Sequence, residues 1–330
     1  MAVETWLSTC LWVNVTVTPF QRIVGNDVSP SHRTRPRANA SDGVPERKEA
    51  TMSISQFIRR HPLGSYFFLT YSITWVGVSA AAGPEFLRGE EVQFTDGMLM
   101  LAAMLAGPSV SGLVCTRVVE GKSGLRDLYS RMRRWRVGLG WYAAAGLIPP
   151  VLILITLAAL SQLISPAFTP GLTPTLIFGG LLAGYFEEIG WTGFATPRMK
   201  SLYGALTTGI LLGVIWGVWH LAADYLGASD TFGSYWLPRF LAMWIAGMTA
   251  TRVLMLWVYS HTESVLLIQI MHASSTGFLL FLSPTPVSPA DETTWFAVYA
   301  AVLWVVALIV IATQGRELTR RLAAAGRGAQ

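Results

Sequence analysis

Five side chains in this sequence have the types and spacing to do hydrolytic chemistry, and all lie in strongly apolar stretches: Glu187, Glu188, His220, His272 and Thr276. A charge in the middle of a membrane-spanning helix costs about 2.5–3.5 kcal/mol on insertion scales, so each one calls for a reason. A carboxylate beside an imidazole in a low-dielectric cavity can hold a water and take its proton during attack on a carbonyl. A second imidazole and a hydroxyl can donate to the oxyanion that develops. Glu187, His220 and His272 are also donors suited to zinc, so a metal-bound water is a parallel reading. Singly, each feature has a plainer account. An intramembrane His often only makes a hydrogen bond, and adjacent glutamates near a helix end are often solvated. The functional reading rests on the conjunction of two acids and two imidazoles in apolar helices.

Helical periodicity says how they are positioned. Gly179–Ala183–Glu187 and Gly180–Gly184–Glu188 are rows of one helix, so small residues lead directly to both carboxylates. Gly209, Gly213 and Gly217 form a second row, with Trp216 and His220 beside it at i, i+4. Gln269, His272, Ser275 and Thr276 share a polar face on a third helix. Small residues let membrane helices approach closely. The three helices are therefore expected to converge on one buried polar cavity.

The chain around them is an integral membrane protein. Of 330 residues, 52% are hydrophobic and 13% charged, about half the charge of a soluble domain. A soluble enzyme, a disordered chain and a disulfide-stapled secreted domain are excluded on that ground. Cys10 and Cys115 support neither a disulfide framework nor a thiolate metal site. The net charge of +5 is gathered in short blocks between apolar segments. That is a topology signal, and nucleic acid is not an expected partner.

Residues 1–51 are polar over their second half and read as a disordered tail, dispensable to the fold, with Met52 as a second possible start. Apolar segments follow at about 63–82, 97–119, 139–163, 173–195, 204–226, 240–258, 265–282 and 295–312. Each is of a length to cross a bilayer as a helix, giving an all-α, polytopic bundle of about eight transmembrane helices over residues 52–315, with a basic tail at 316–330. Basic residues cluster at Arg59–Arg60, Lys122–Arg136, Arg198–Lys200 and Arg316–Arg327. Acidic residues dominate the loops after the first segment and before the last. The positive-inside rule then puts both termini in the cytoplasm of a multi-pass cell-membrane protein. Arg239, and the sixth-to-seventh loop with Glu263 and no cation, fit that rule poorly.

The ordered set of motifs resembles the CPBP family of intramembrane proteases, which includes the CAAX-processing and bacteriocin-immunity (Abi) proteins. Its Glu-Glu-x-x-x-Arg motif is matched in part by Glu187-Glu188-Ile-Gly-Trp-Thr192, its aromatic-x-x-x-His by Trp216-Gly-Val-Trp-His220, and its His-x-x-x-Asn in part by His272-Ala-Ser-Ser-Thr276. The resemblance implies an intramembrane endopeptidase acting on a membrane-associated protein or peptide. By that analogy Glu187 activates water with His220, Glu188 supports it, and His272 with Thr276 forms the oxyanion site. The family is labelled metalloprotease, and a glutamate-activated water without metal is the other view of it. Thr192 and Thr276 depart from the motif's Arg and Asn. Arg198 and Arg252 are the cations at hand to replace the missing Arg, although Arg252 reads more simply as a snorkelling residue. These departures keep a second function open, a non-catalytic immunity or regulatory protein on the same fold. A proton-coupled transporter ranks third, because no repeat relates the two halves.

Overall fold

The structure, a computed structural model, describes residues 52–90, 92–285 and 287–319, and among them every regular element is a helix, with no strand. The residues at several helix starts explain where they begin. Ser53 caps α1 (Ile54–Arg60) in a reciprocal capping box with Gln56. The hydroxyl of Ser264 accepts from Leu267 N–H at the start of α11 (Val265–Leu282). Ser288 and Pro289 open α12 (Pro289–Gln314). Between them run α2 (Pro62–Leu87), α3 (Phe94–Met132), α4 (Leu139–Leu163), α5 (Ile177–Gly190), α6 (Thr196–Tyr203), α7 (Ala205–Trp219), α8 (Leu221–Phe232), α9 (Trp236–Phe240) and α10 (Met248–Thr262).

Each of the eight apolar segments is helical. Five helical stretches, at 94–132, 139–163, 221–262, 265–282 and 289–314, are long and apolar enough to cross a membrane. α7 is apolar but shorter. The fourth, fifth and sixth segments are not uninterrupted α-helices. Trp191–Ala195 and Leu241–Gly247 are π-helical, and the fifth segment breaks at His220 between α7 and α8. Such bulges shift side chains around the helix axis and recur at functional sites. α3 also breaks, at Gly121, whose φ of 71° is a left-handed value that favours glycine.

The helices pack chiefly as α2 on α3, α5 between α3 and α11, and α7 on α10. Side-chain hydrogen bonds close the gap between α2 and α7: Tyr71 donates to the Ile215 carbonyl (2.5 Å) and Trp75 to that of Trp219 (3.0 Å). The two poor fits to the charge rule are paired residues. Arg239 is buried between Asp224 (2.9 Å) and Glu292 (2.7 Å), and Glu263 pairs with Arg134 (2.9 Å). After α12 the chain docks on the α6–α7 turn. The Arg316 carbonyl accepts from Leu206 N–H (3.0 Å), and Leu318 is buried. The tail expected over residues 1–51, and residues 320–330, lie outside the described residues.

Candidate active site

α5 and α11 meet along glycine. A methyl group on Gly184 would stand 2.6 Å from the Ala273 nitrogen, and one on Gly180 2.8 Å from the Ala273 carbonyl oxygen. The row Gly180–Gly184–Glu188 thus runs down the contact, and its last member meets α11, where His272 Nδ1 lies 2.9 Å from Glu188 Oε1. α7 and α10 use the same device. A methyl on Gly213 would sit 2.6 Å from Thr249 Cα, and this approach carries Arg252, three residues on, against Trp216, its guanidinium 4.3 Å from the indole centroid.

Glu188 is completely buried and fully occupied. Arg252 grips it with a fork, Nη1 on Oε2 and Nη2 on Oε1 at 2.9 Å each. The Thr192 hydroxyl, one turn along, donates to Oε2. With His272, four donors converge on two oxygens, the full capacity of a carboxylate. Arg252, 0% exposed, is therefore not a snorkelling residue. It brings to Glu188 the cation that position 192 lacks. Arg198 does not reach the site: it pairs with Glu120 and stacks on Phe194 at 3.7 Å.

Glu187 is as deeply placed, at 4% exposure, but sparsely bonded. Its hydrogen bond is the Trp216 Nε1–H to Oε2, at 3.1 Å, which leaves one carboxylate oxygen uncommitted. Trp216 is the hub of the site. Its indole holds Glu187, packs edge-on against His272 (4.9 Å between centroids) and carries Arg252 on its face, and its carbonyl lies 2.9 Å from His220 Nδ1. That bond requires the proton on Nδ1 and leaves Nε2 of His220 as a base. The His220 ring is stacked on Trp244, centroids 4.1 Å apart and planes within 14°, and meets the edge of Trp219.

Thr276 stands one turn beyond His272 and lines a cavity of about 20 Å³, room for about one water. Trp216, Thr251, Ser275 and Tyr299 line it too. The structure thus brings Glu187, Glu188, His220 and His272 around Trp216, with Thr276 on a cavity that shares the Trp216 wall. It does not assemble the alternative zinc set. Among the described residues, no three His, Cys, Asp or Glu side chains are gathered to hold a metal ion.

Sequence reasoning missed two contributors, the donor role of Trp216 and Trp244 beneath His220, and it named Arg252 as a replacement cation while reading it first as a snorkelling residue. A charge within an apolar segment was the available signal for Arg252, and Asp224, four residues after His220, carried the same signal.

Residues 169–278, which contain every one of the five candidate residues, match the family model described as Type II CAAX prenyl endopeptidase Rce1-like. The chain is also 24% identical over 264 residues to the CAAX prenyl protease 2 of Methanococcus maripaludis, an alignment that covers 74% of this chain and 92% of that protein.

Proposed function

We propose that this chain is a multi-pass membrane protease of the CPBP type, an intramembrane endopeptidase in which Glu187 activates water against a peptide bond of a membrane-associated protein or peptide. One contrast carries the reading. Glu188 has four donors on its two oxygens, whereas Glu187 has one and keeps an oxygen for water. Two adjacent carboxylates are thereby separated into a scaffold and a base.

In the proposed sequence a water donates to the open oxygen of Glu187 and to Nε2 of His220. As its oxygen attacks the carbonyl carbon, Glu187 takes the proton. The oxyanion accepts hydrogen bonds from His272 and from the Thr276 hydroxyl. When His272 carries both ring protons, Nε2–H can serve the oxyanion while Nδ1–H stays on Glu188. The carbon–nitrogen bond then breaks, and the proton held by Glu187 passes to the leaving amine, returning the site to its starting state. Threonine at 276 supplies one donor where the family motif has an amide, and Arg252 offsets the loss of Arg at 192. The two departures therefore do not favour the non-catalytic alternative.

The bilayer is the medium of the reaction, and the name of the Methanococcus maripaludis relative makes CAAX prenyl peptides the first substrates to try. Both ends of the membrane domain, taken as residues 52–315, are assigned to the cytoplasm from loop charge. Comparative proteomics of membranes carrying the wild type or Glu187→Gln tests the activity. The expected result is a set of C-terminally shortened or internally cleaved membrane-associated products that vanish in the variant. Identical profiles would refute it.

A further inference from the structure

The mechanism needs His220 at a fixed angle, and one hydrogen bond does not provide that. With Nδ1 on the Trp216 carbonyl, the ring is anchored at that atom and through Cβ, and its plane keeps some freedom to tilt as χ2 varies. The stack on Trp244 removes that freedom, provided that the indole is itself held. Trp244 lies in the π-helical stretch between α9 and α10, and its Nε1–H donates to Asp224 Oδ1 at 2.6 Å. Asp224 is fully buried one turn after His220, and its N–H bonds to the His220 carbonyl (2.8 Å). Its other donors are Trp236 Nε1 (2.9 Å) and Arg239 Nη1 (2.9 Å), and Arg239 continues through Nε to Glu292 at the start of α12.

We propose that Asp224 is a positioning residue for His220, acting through the hydrogen bond that fixes the Trp244 indole on which the imidazole lies. Three helices and the π segment then meet on the orientation of one ring. The proposal rests on the reading of His220 as part of the water-activating pair. A buried ion pair between Asp224 and Arg239 would by itself be structural, and it makes no demand on Trp244. The two roles therefore separate by substitution. Trp244→Phe keeps a stacking ring and the ion pair but removes the donor. Asp224→Asn keeps an acceptor for the indole but removes the charge opposite Arg239.

The experiment measures turnover on a cleaved peptide, thermal stability in detergent, and the ¹⁵N spectrum of labelled histidine rings, for both variants and for Glu187→Gln. Trp244→Phe is expected to lower kcat by about ten- to a hundredfold with KM unchanged, the scale of a misplaced catalytic group. Its melting temperature should stay near that of the wild type, and the His220 ring signals should shift or broaden. Asp224→Asn should show the reverse, a lower melting temperature with the smaller loss of kcat. Should Trp244→Phe fail to fold, 3-benzothienylalanine at 244, isosteric with tryptophan but without the N–H, replaces it with the same expectations. A wild-type kcat and unchanged His220 signals in the variant lacking the donor, with Glu187→Gln inactive, would overturn the link through Trp244 and leave the proposed activity standing. If Glu187→Gln instead retains the wild-type rate, the activity reading fails. The ring spectrum, which does not depend on turnover, then still decides whether Asp224 fixes His220.

Discussion

Arg252→Met is the substitution that bears hardest on the division of labour between the two carboxylates. Arg252 and Glu188 are both fully buried, and the fork consists of two charge-assisted bonds at 2.9 Å. Removing one member of such a pair typically costs about 3–5 kcal/mol, because the remaining charge is left uncompensated. At about 1.4 kcal/mol per decade, the unfolding equilibrium shifts by about two to three and a half decades. The expected origin is the stranded charge, not lost packing, since methionine fills much of the same volume. Glu188→Gln in the Arg252→Met background should therefore recover most of the loss. Thr192→Arg should also recover it, because residue 192 lies one turn from Glu188 and its hydroxyl already reaches Oε2. In the wild-type background Thr192→Arg should instead destabilise, setting a second buried cation beside the first. Reversible unfolding of the purified protein in mixed micelles reads all four variants. A cost below about 1 kcal/mol for Arg252→Met, or no recovery in either double variant, would refute the claim that Arg252 balances Glu188.

Gly184→Ala forces a methyl group against the backbone of α11 and should cost about 1–3 kcal/mol in the same assay, with cleavage falling as Glu188 and His272 are levered apart. Thr276→Val, nearly isosteric, should lower kcat by about 10²–10³ if its hydroxyl is an oxyanion donor, and Thr276→Asn should preserve or raise it; equal rates for all three side chains would remove the residue from the mechanism. In a cysteine-free background, Gln93→Cys should react with an impermeant reagent from outside intact cells and Ser130→Cys should not, and labelling of the latter would invert the assigned orientation.

Much of the site was legible because membrane helices write their packing in small residues. The rows ending in Glu188 and flanking His220 are periodic, and they form the α5–α11 and α7–α10 contacts. Charge within apolar sequence marked Glu187, Glu188, His220 and His272 for the same reason of cost. What could not be read was pairing across the fold. Arg252 lies 64 residues from Glu188, and nothing in its own segment distinguishes a buried fork from a residue reaching for the interface. Arg239 seemed to violate the charge rule because its partners, Asp224 and Glu292, come from other helices. The π-helical stretches were also invisible, since a bulge of one residue leaves hydrophobic composition unchanged while turning Trp244 under His220.

The central claim is that Glu187 is the base and Glu188 the scaffold, and turnover of purified Glu187→Gln at saturating peptide tests it most directly. Glutamine still accepts the Trp216 N–H, so the variant should fold with wild-type stability and bind peptide, while kcat falls by about 10²–10⁴, the contribution of a general base. Glu187→Gln with the wild-type kcat would contradict the account, as would a lost rate that zinc alone restores to the metal-stripped wild type.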